Sequence, residues 1–173
     1  MSNISDFKGQ LIGGGARPNL FAVSMQFPPA VNFVDTVNAE FMIKAASLPS
    51  SVIGPIEVSY RGRKLKIAGD RTFENWSITV LNDTNMALRT AFESWMELIT
   101  QNAQNVSTAV PTLDGYMCNL AVSQLDRAGN TTKSYAFIDA WPVNVQAIDL
   151  NYETNDAVEE FTVEFAYQYW VPA

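Results

Sequence analysis

RGRKLKIAGDRTFENWSITVLND, residues Arg61 to Asp83, is the stretch on which the fold turns. It carries Arg61, Arg63, Lys64, Lys66 and Arg71, five of the eleven basic residues in the chain. The pattern predicts a basic strand, a turn at Ala68-Gly69-Asp70-Arg71, and a second strand over Thr72 to Leu81. In that strand Trp76, Ile78 and Val80 share one face, and Ser77 and Thr79 share the other. A period of two sets one face against a core and leaves the other polar. Asn82-Asp83-Thr84 then signals a helix start, with Asp83 as the N-cap.

The helix is expected over about 84–101. Leu88, Ala91, Phe92, Trp95 and Ile99 recur at the spacing of one apolar stripe, and Arg89, Glu93 and Glu97 lie off it. Working toward the N-terminus, Ile56–Tyr60 and Arg63–Ile67 read as two strands joined across Arg61-Gly62. Leu48–Pro55, with its prolines, serines and glycine, reads as a loop. Glu40–Ala46 and Leu20–Phe27 read as strands, and Pro28-Pro29 stops the latter because proline cannot donate to a ladder. Residues 1–15 read as a flexible arm. Gly13, Gly14 and Gly15 loosen it, and Phe7, Leu11 and Ile12 are the side chains with which it would anchor on a neighbour.

Working toward the C-terminus, Asn102–Asp114 is polar and irregular. Gly115–Leu125 and Thr132–Trp141 read as a hairpin closed by Asp126–Asn130, with Gly129 at a position suited to positive φ. Pro142 is expected to interrupt the return strand, and Val145–Tyr152 to resume it. Val158–Trp170 reads as one long strand, alternating Phe161, Val163, Phe165, Tyr167 and Tyr169 with Thr162, Glu164, Ala166 and Gln168. Several strands, one helix and no βαβ rhythm predict a mainly β chain. The expected architecture is an antiparallel sandwich or barrel with one flanking helix, in a single domain over 16–173.

Composition narrows the function. The chain has 173 residues, a net charge of −7, one cysteine and no histidine. A surplus of acid argues against affinity for nucleic acid, which rests on phosphate neutralisation. Without histidine the commonest general base and metal ligand are missing, and a Ser-His-Asp or Cys-His site cannot be built. Cys118 sits in an alternating apolar run and reads as a small buried hydrophobe. No phosphate-binding glycine loop is present: Gly13–Gly15 lacks the lysine and the following helix. Glu159 with Glu160, and Asp70 with Glu74, are the nameable carboxylate pairs, and both have simpler readings at turns. No catalytic, cofactor-binding or metal-ligating residue is assigned. No apolar run reaches the ~20 residues that span a bilayer, and Met1–Gln10 lacks a signal pattern, so a cytosolic site of synthesis is expected.

Charge is unevenly placed. The 61–71 segment holds five bases and one acid, Asp70, whereas residues 130–173 hold seven acids and one base, Lys133. Such a chain can bind itself head to tail, giving rings or filaments. Alternatively the two patches pair within one subunit or face water.

Four stretches resemble the tail tube proteins of contractile-tailed, myovirus-type bacteriophages. They are Ala16–Phe21; Arg61–Lys64 through Ala68–Phe73 to Asn82-Asp83; Trp141–Val145; and Phe161–Phe165 to Tyr169-Trp170. The resemblance implies hexameric rings whose inner-sheet strands join into a continuous barrel. The rings would stack into a rigid conduit inside a contractile sheath, on a baseplate initiator and under a terminator. A tape-measure protein would fill it until DNA passes as non-sticking cargo, and the subunit would reside in the virion tail after assembly in the host cytoplasm, with no membrane partner. In this reading Arg61, Arg63, Lys64, Asp70 and Arg71, with Phe7 and Leu11, meet neighbouring subunits, and Thr162 and Glu164 face the lumen. Two other readings stay open: the tube of a phage-like or type six secretion device that carries protein effectors, and a monomeric β-sandwich that binds carbohydrate through Tyr116, Trp141 or Trp170.

Overall fold

The computed structural model describes residues 3–11, 15–33, 36–103 and 115–173. Nine strands and three α-helices make up the described chain. They are α1 (Ile4–Gln10), β1 (Phe21–Met25), α2 (Thr36–Phe41), β2 (Ile43–Ala46), β3 (Val52–Tyr60), β4 (Arg63–Thr72), β5 (Trp76–Leu81), α3 (Ala87–Ile99), β6 (Cys118–Leu125), β7 (Thr131–Val145), β8 (Glu160–Ala166) and β9 (Tyr169–Pro172). A 3-10 turn at Pro29–Val31 follows β1. The fold is mainly β and every strand pair is antiparallel.

Seven strands form one bent sheet in the order β1-β6-β7-β8-β5-β2, with β9 also on β7. Among the described residues β1, β2 and β9 each have one neighbour, so this sheet is open rather than closed into a barrel. The bend lies in β7. Its first part pairs with β6 and β9, and Trp141–Val145 pairs with β8. The change of partner falls beside a bulge and Asp139, whose φ of 53° places it in the left-handed region. Asp139 N–H is met by Asn119 Oδ1 at 3.2 Å. Bulges turn strands at such corners.

Between the two limbs of the sheet lies the core. Trp76 of β5 stacks on Phe137 of β7 with centroids 4.4 Å apart. Phe165 of β8 meets Trp76, Phe92 and Trp95. The helical stripe falls as its spacing requires: Leu88, Ala91, Phe92 and Trp95 are buried, and Ile99 packs at the margin. The helix is shorter than expected, Ala87–Ile99, and its N-cap is Met86 in the left-handed region (φ 51°), not Asp83, which lies three residues earlier and accepts the Ala87 N–H at 2.9 Å. The β6–β7 turn is built around Asp126, whose carboxylate accepts from the Asn130 and Ala128 N–H groups at 2.9 and 2.8 Å. Those bonds, the Asn130 contribution first, hold its carboxyl below the usual value, and Gly129 takes φ 84°.

Several local expectations are corrected. Glu40–Ala46 is helix to Phe41 and strand only from Ile43. Ala68–Arg71 is not a turn but part of β4, so Asp70 lies in a strand. Gly69 serves a different purpose there. A Cβ on it would sit 2.7 Å from the Gly54 carbonyl oxygen and 3.0 Å from Ile56 Cγ1, so the two strands approach too closely for a side chain. Correspondingly, β3 begins at Val52, inside the expected loop, and passes Gly54-Pro55 at a register shift. β5 starts at Trp76, not Thr72. Pro142 does not interrupt β7; it is buried beside a register shift, opposite Phe165. No strand follows Val145 before Glu160. The long last strand is two: β8 runs to Ala166, and β9 leaves it to pair with the other limb of β7, a crossing tied by Gln168 N–H to Ile138 O at 3.1 Å. The N-terminal arm contains helix α1. Most of the Asn102–Asp114 segment lies outside the described residues.

Candidate functional site: a free hairpin and the polar face of the sheet

Among the described residues β3 and β4 pair only with each other, as a separate two-stranded sheet. Their turn is Arg61-Gly62, with φ 47° and 82°. Two consecutive positive φ values define the type I′ connection, whose twist matches that of the flanking strands. At ~3.3 Å per residue, the nine residues of β3 reach roughly 30 Å.

Alternation sorts the hairpin into two faces. On one, Ile56 lies opposite Ile67, Val58 opposite Leu65, and Tyr60 opposite Arg63. On the other, Glu57 lies opposite Lys66 and Ser59 opposite Lys64. The charged face is satisfied locally, since Glu57 pairs with Lys64 at 2.6 Å and Lys66 at 3.8 Å. The apolar face is not covered. Ile56, Val58, Tyr60, Leu65 and Ile67 are all roughly half exposed or more, and none joins the core. A two-stranded hairpin with a bare apolar face is marginal alone, and bare edges invite pairing.

The root of the hairpin is fixed to the body. Trp76 Nε1 donates to Ser47 O at 2.6 Å, and Trp170 Nε1 donates to Ser50 O at 3.1 Å. Ser50 Oγ donates to Glu74 Oε2 at 3.2 Å, which ties the incoming leg to the outgoing one. Phe73 packs against Tyr167 and Trp170. The direction of the hairpin is thus set by contacts around these two indoles.

Of the residues singled out in the sequence, Arg61, Arg63, Lys64, Asp70 and Arg71 share this hairpin. Arg61 lies over the Tyr60 ring at 5.4 Å. Among the described residues Lys64 is ion-paired, and Arg61, Arg63 and Arg71 are not. Phe7 and Leu11 are on and just after α1, both exposed. Thr162 and Glu164 are on β8, on the face opposite Phe161, Val163 and Phe165, away from α3. Across the ladder Thr162 meets Thr79, and Glu164 meets Ser77 and Asn144, so this side of the sheet is polar. The apolar hairpin face was missed in the sequence, although its signal was there in the alternation of Ile56, Val58, Tyr60 and of Leu65, Ile67.

The aromatic residues considered for sugar stacking are engaged in packing. Tyr116 and Trp141 meet edge-on, and Trp170 packs against Tyr135 and Phe73. Cys118 is half-buried against the core, and burial pushes its thiol up to about 11, away from the reactive thiolate. No cluster of three metal-ligating side chains occurs among the described residues. No helix among them is long and apolar enough to cross a membrane.

Comparisons with known proteins agree with the resemblance. The family described as phage tail tube protein matches residues 16–173. Tail tube protein gp19 of Enterobacteria phage T4 is 32% identical over 159 residues, covering 91% of this chain and 92% of that protein. Among solved structures, a chain of the anti-feeding prophage baseplate, 6-fold symmetrised, superposes with a TM-score of 0.65 at 16% identity, over 91% of this chain and 95% of that one. A chain of the sheath-tube complex of an extracellular contractile injection system, in the extended state, gives a TM-score of 0.60 at 14% identity, over 100% and 99% of the two chains. At such identities the structural matches speak to the fold alone, whereas the family match spans the whole body of the chain. The chain belongs to the phage tail tube protein family, as a structural subunit of the tail.

Proposed function

We propose that the subunit assembles into six-membered rings that stack into a conduit inside a contractile sheath. One observation carries the reading: a roughly 30 Å hairpin leaves the body with its apolar face bare. Such a surface is stable in solution only when something covers it, and in a self-assembling tube the cover is another subunit. The hairpin residues Arg61, Arg63, Lys64, Asp70 and Arg71, and the arm residues Phe7 and Leu11, act at these subunit contacts.

The polar side of β8 and its neighbours, with Thr162 and Glu164, faces the lumen. There, with a net charge of −7, the wall repels phosphate and DNA slides without binding. Open edges of the bent sheet are closed by strands of adjacent subunits, which completes a barrel and removes the aggregation hazard. The solved neighbours come from assemblies named for a baseplate and a sheath-tube complex. By analogy this subunit meets a sheath protein, a baseplate initiator, a terminator and a tape-measure protein. It takes its place in the virion tail after assembly in the host cytoplasm, and no catalytic role falls to it. The 32% identity to a phage protein favours a virion over an injection device.

Sedimentation velocity over a concentration series tests the reading. Species near six times the 19.1 kDa subunit mass, and multiples of it, are expected. A single 19.1 kDa species at every concentration overturns it.

A further inference from the structure

The register of β5 against β8 fixes the two ends of one strand pair. Trp76 lies opposite Phe165 at one end, and Leu81 opposite Glu160 at the other. The hairpin joins β5 through Phe73–Asn75, at the Trp76 end. The segment 146–159 joins β8 at Glu160, at the opposite end. Among the described residues it holds the two most exposed large apolar side chains, Tyr152 and Leu150. Leu150 is 85% exposed, Tyr152 102% and Val158 67%, and Phe41 at the same end is 80% exposed. Interleaved with them are Asp149, Glu153 and Asp156, which form no ion pair among the described residues. Glu159 and Glu160 are instead held inside the subunit by Asn82 and Lys44.

The two surfaces are complementary. One offers half-exposed Ile, Val, Leu and Tyr side chains with three unpaired arginines, Arg61, Arg63 and Arg71. The other offers Leu, Tyr, Val and Phe with three unpaired carboxylates. Tyr152 and Leu150, at 102% and 85% exposure, are not covered by the subunit's own hairpin. Because the two patches sit at opposite ends of the strand pair, they can meet only between copies. The contact is then head to tail and does not close on itself after two subunits.

We infer that the 147–158 segment is the receptor for the β3–β4 hairpin of the next copy of this chain, its acids and exposed apolar side chains taking the hairpin's arginines and bare face. This rests on the tube reading above and names the surface through which one layer of subunits grips the next.

Charge reversal tests it. One variant carries Arg61→Glu, Arg63→Glu and Arg71→Glu; a second carries Asp149→Lys, Glu153→Lys and Asp156→Lys. All six side chains are exposed, and circular dichroism and thermal melting verify that each variant folds. Each alone is expected to raise the concentration needed for assembly roughly tenfold or more, from loss of three ion pairs and new like-charge contacts. Mixed one to one, the two should assemble again as an alternating copolymer, since each hairpin now finds an opposite segment. A hairpin variant that fails while the segment variant assembles normally overturns the assignment of the receptor, as does failure of the mixture. Wild-type protein that never assembles overturns the tube reading itself, which separates the two outcomes.

Discussion

Replacing Val58 and Leu65 by serine probes the bare face with least damage to the subunit. The two are cross-strand partners, 46% and 61% exposed, and neither touches the core. Burying a Val or Leu fully from water is worth about 1.5–3 kcal/mol. About half of each side chain is still uncovered in the free subunit, so covering the remainder contributes about 1 kcal/mol each, or about 2 kcal/mol for the pair. At 1.4 kcal/mol per decade that is roughly 30-fold in the association constant of each contact. Light scattering against protein concentration reads the assembly threshold, and urea unfolding followed by tryptophan fluorescence reads the monomer. The threshold should rise by at least an order of magnitude, while monomer stability changes by less than about 1 kcal/mol, the range of strand preference. An unchanged threshold would refute the role of this face. A loss of several kcal/mol in the monomer would also refute it, because the face would then be covered within the subunit.

Three further outcomes follow from the same geometry. Trp170→Phe keeps a ring against Phe73 and Tyr135 but loses the N–H to Ser50 O; spin-label distances between hairpin tip and body should broaden, since a tilt of ~10° at the root of a ~30 Å arm moves its tip by ~5 Å, and an unchanged distribution would remove Trp170 from the root. Asp83→Ala deletes the oxygen that accepts the Ala87 N–H and should cost about 1 kcal/mol in urea unfolding, the net worth of one such hydrogen bond, with α3 otherwise intact. Cys118 has its folded thiol raised to about 11, above its unfolded value. Stability tied to it is therefore full below about 9, the ordinary value, and is lost as pH rises through about 11; in parallel, a thiol reagent at pH 8 should react with unfolded protein far faster than with folded.

Much of the body is legible in the sequence because its signals are local. Trp76–Leu81 and Phe161–Phe165 alternate cleanly, and the α3 stripe repeats at helical spacing, so each element declares its buried face. What misleads is local chemistry overruled by neighbours. Gly69-Asp70 has the composition of a turn, yet the glycine is there because the Gly54 carbonyl lies against it. Pro142 has the composition of a strand end, yet a register shift accommodates it. The break between β8 and β9 is invisible in the alternation of 158–170, because it depends on β7 presenting different limbs to each. The candidate surfaces are half legible for a related reason. Alternation marks two faces of each strand, as at Glu57 and Val58 or at Thr162 and Val163, but which one a neighbour covers depends on the assembly and not on the strand. The resemblance supplied the assembly, and the exposed face of the hairpin supplied the surface.

Cryo-electron microscopy of the purified wild-type protein, at concentrations above the scattering threshold, tests most directly whether this chain builds a tube by itself. Six-fold rings or stacked tubes with an open central channel, the β3–β4 hairpin of each subunit seated on its neighbour, are the predicted result. Dispersed single subunits, or closed aggregates in which the hairpin remains bare, would contradict it.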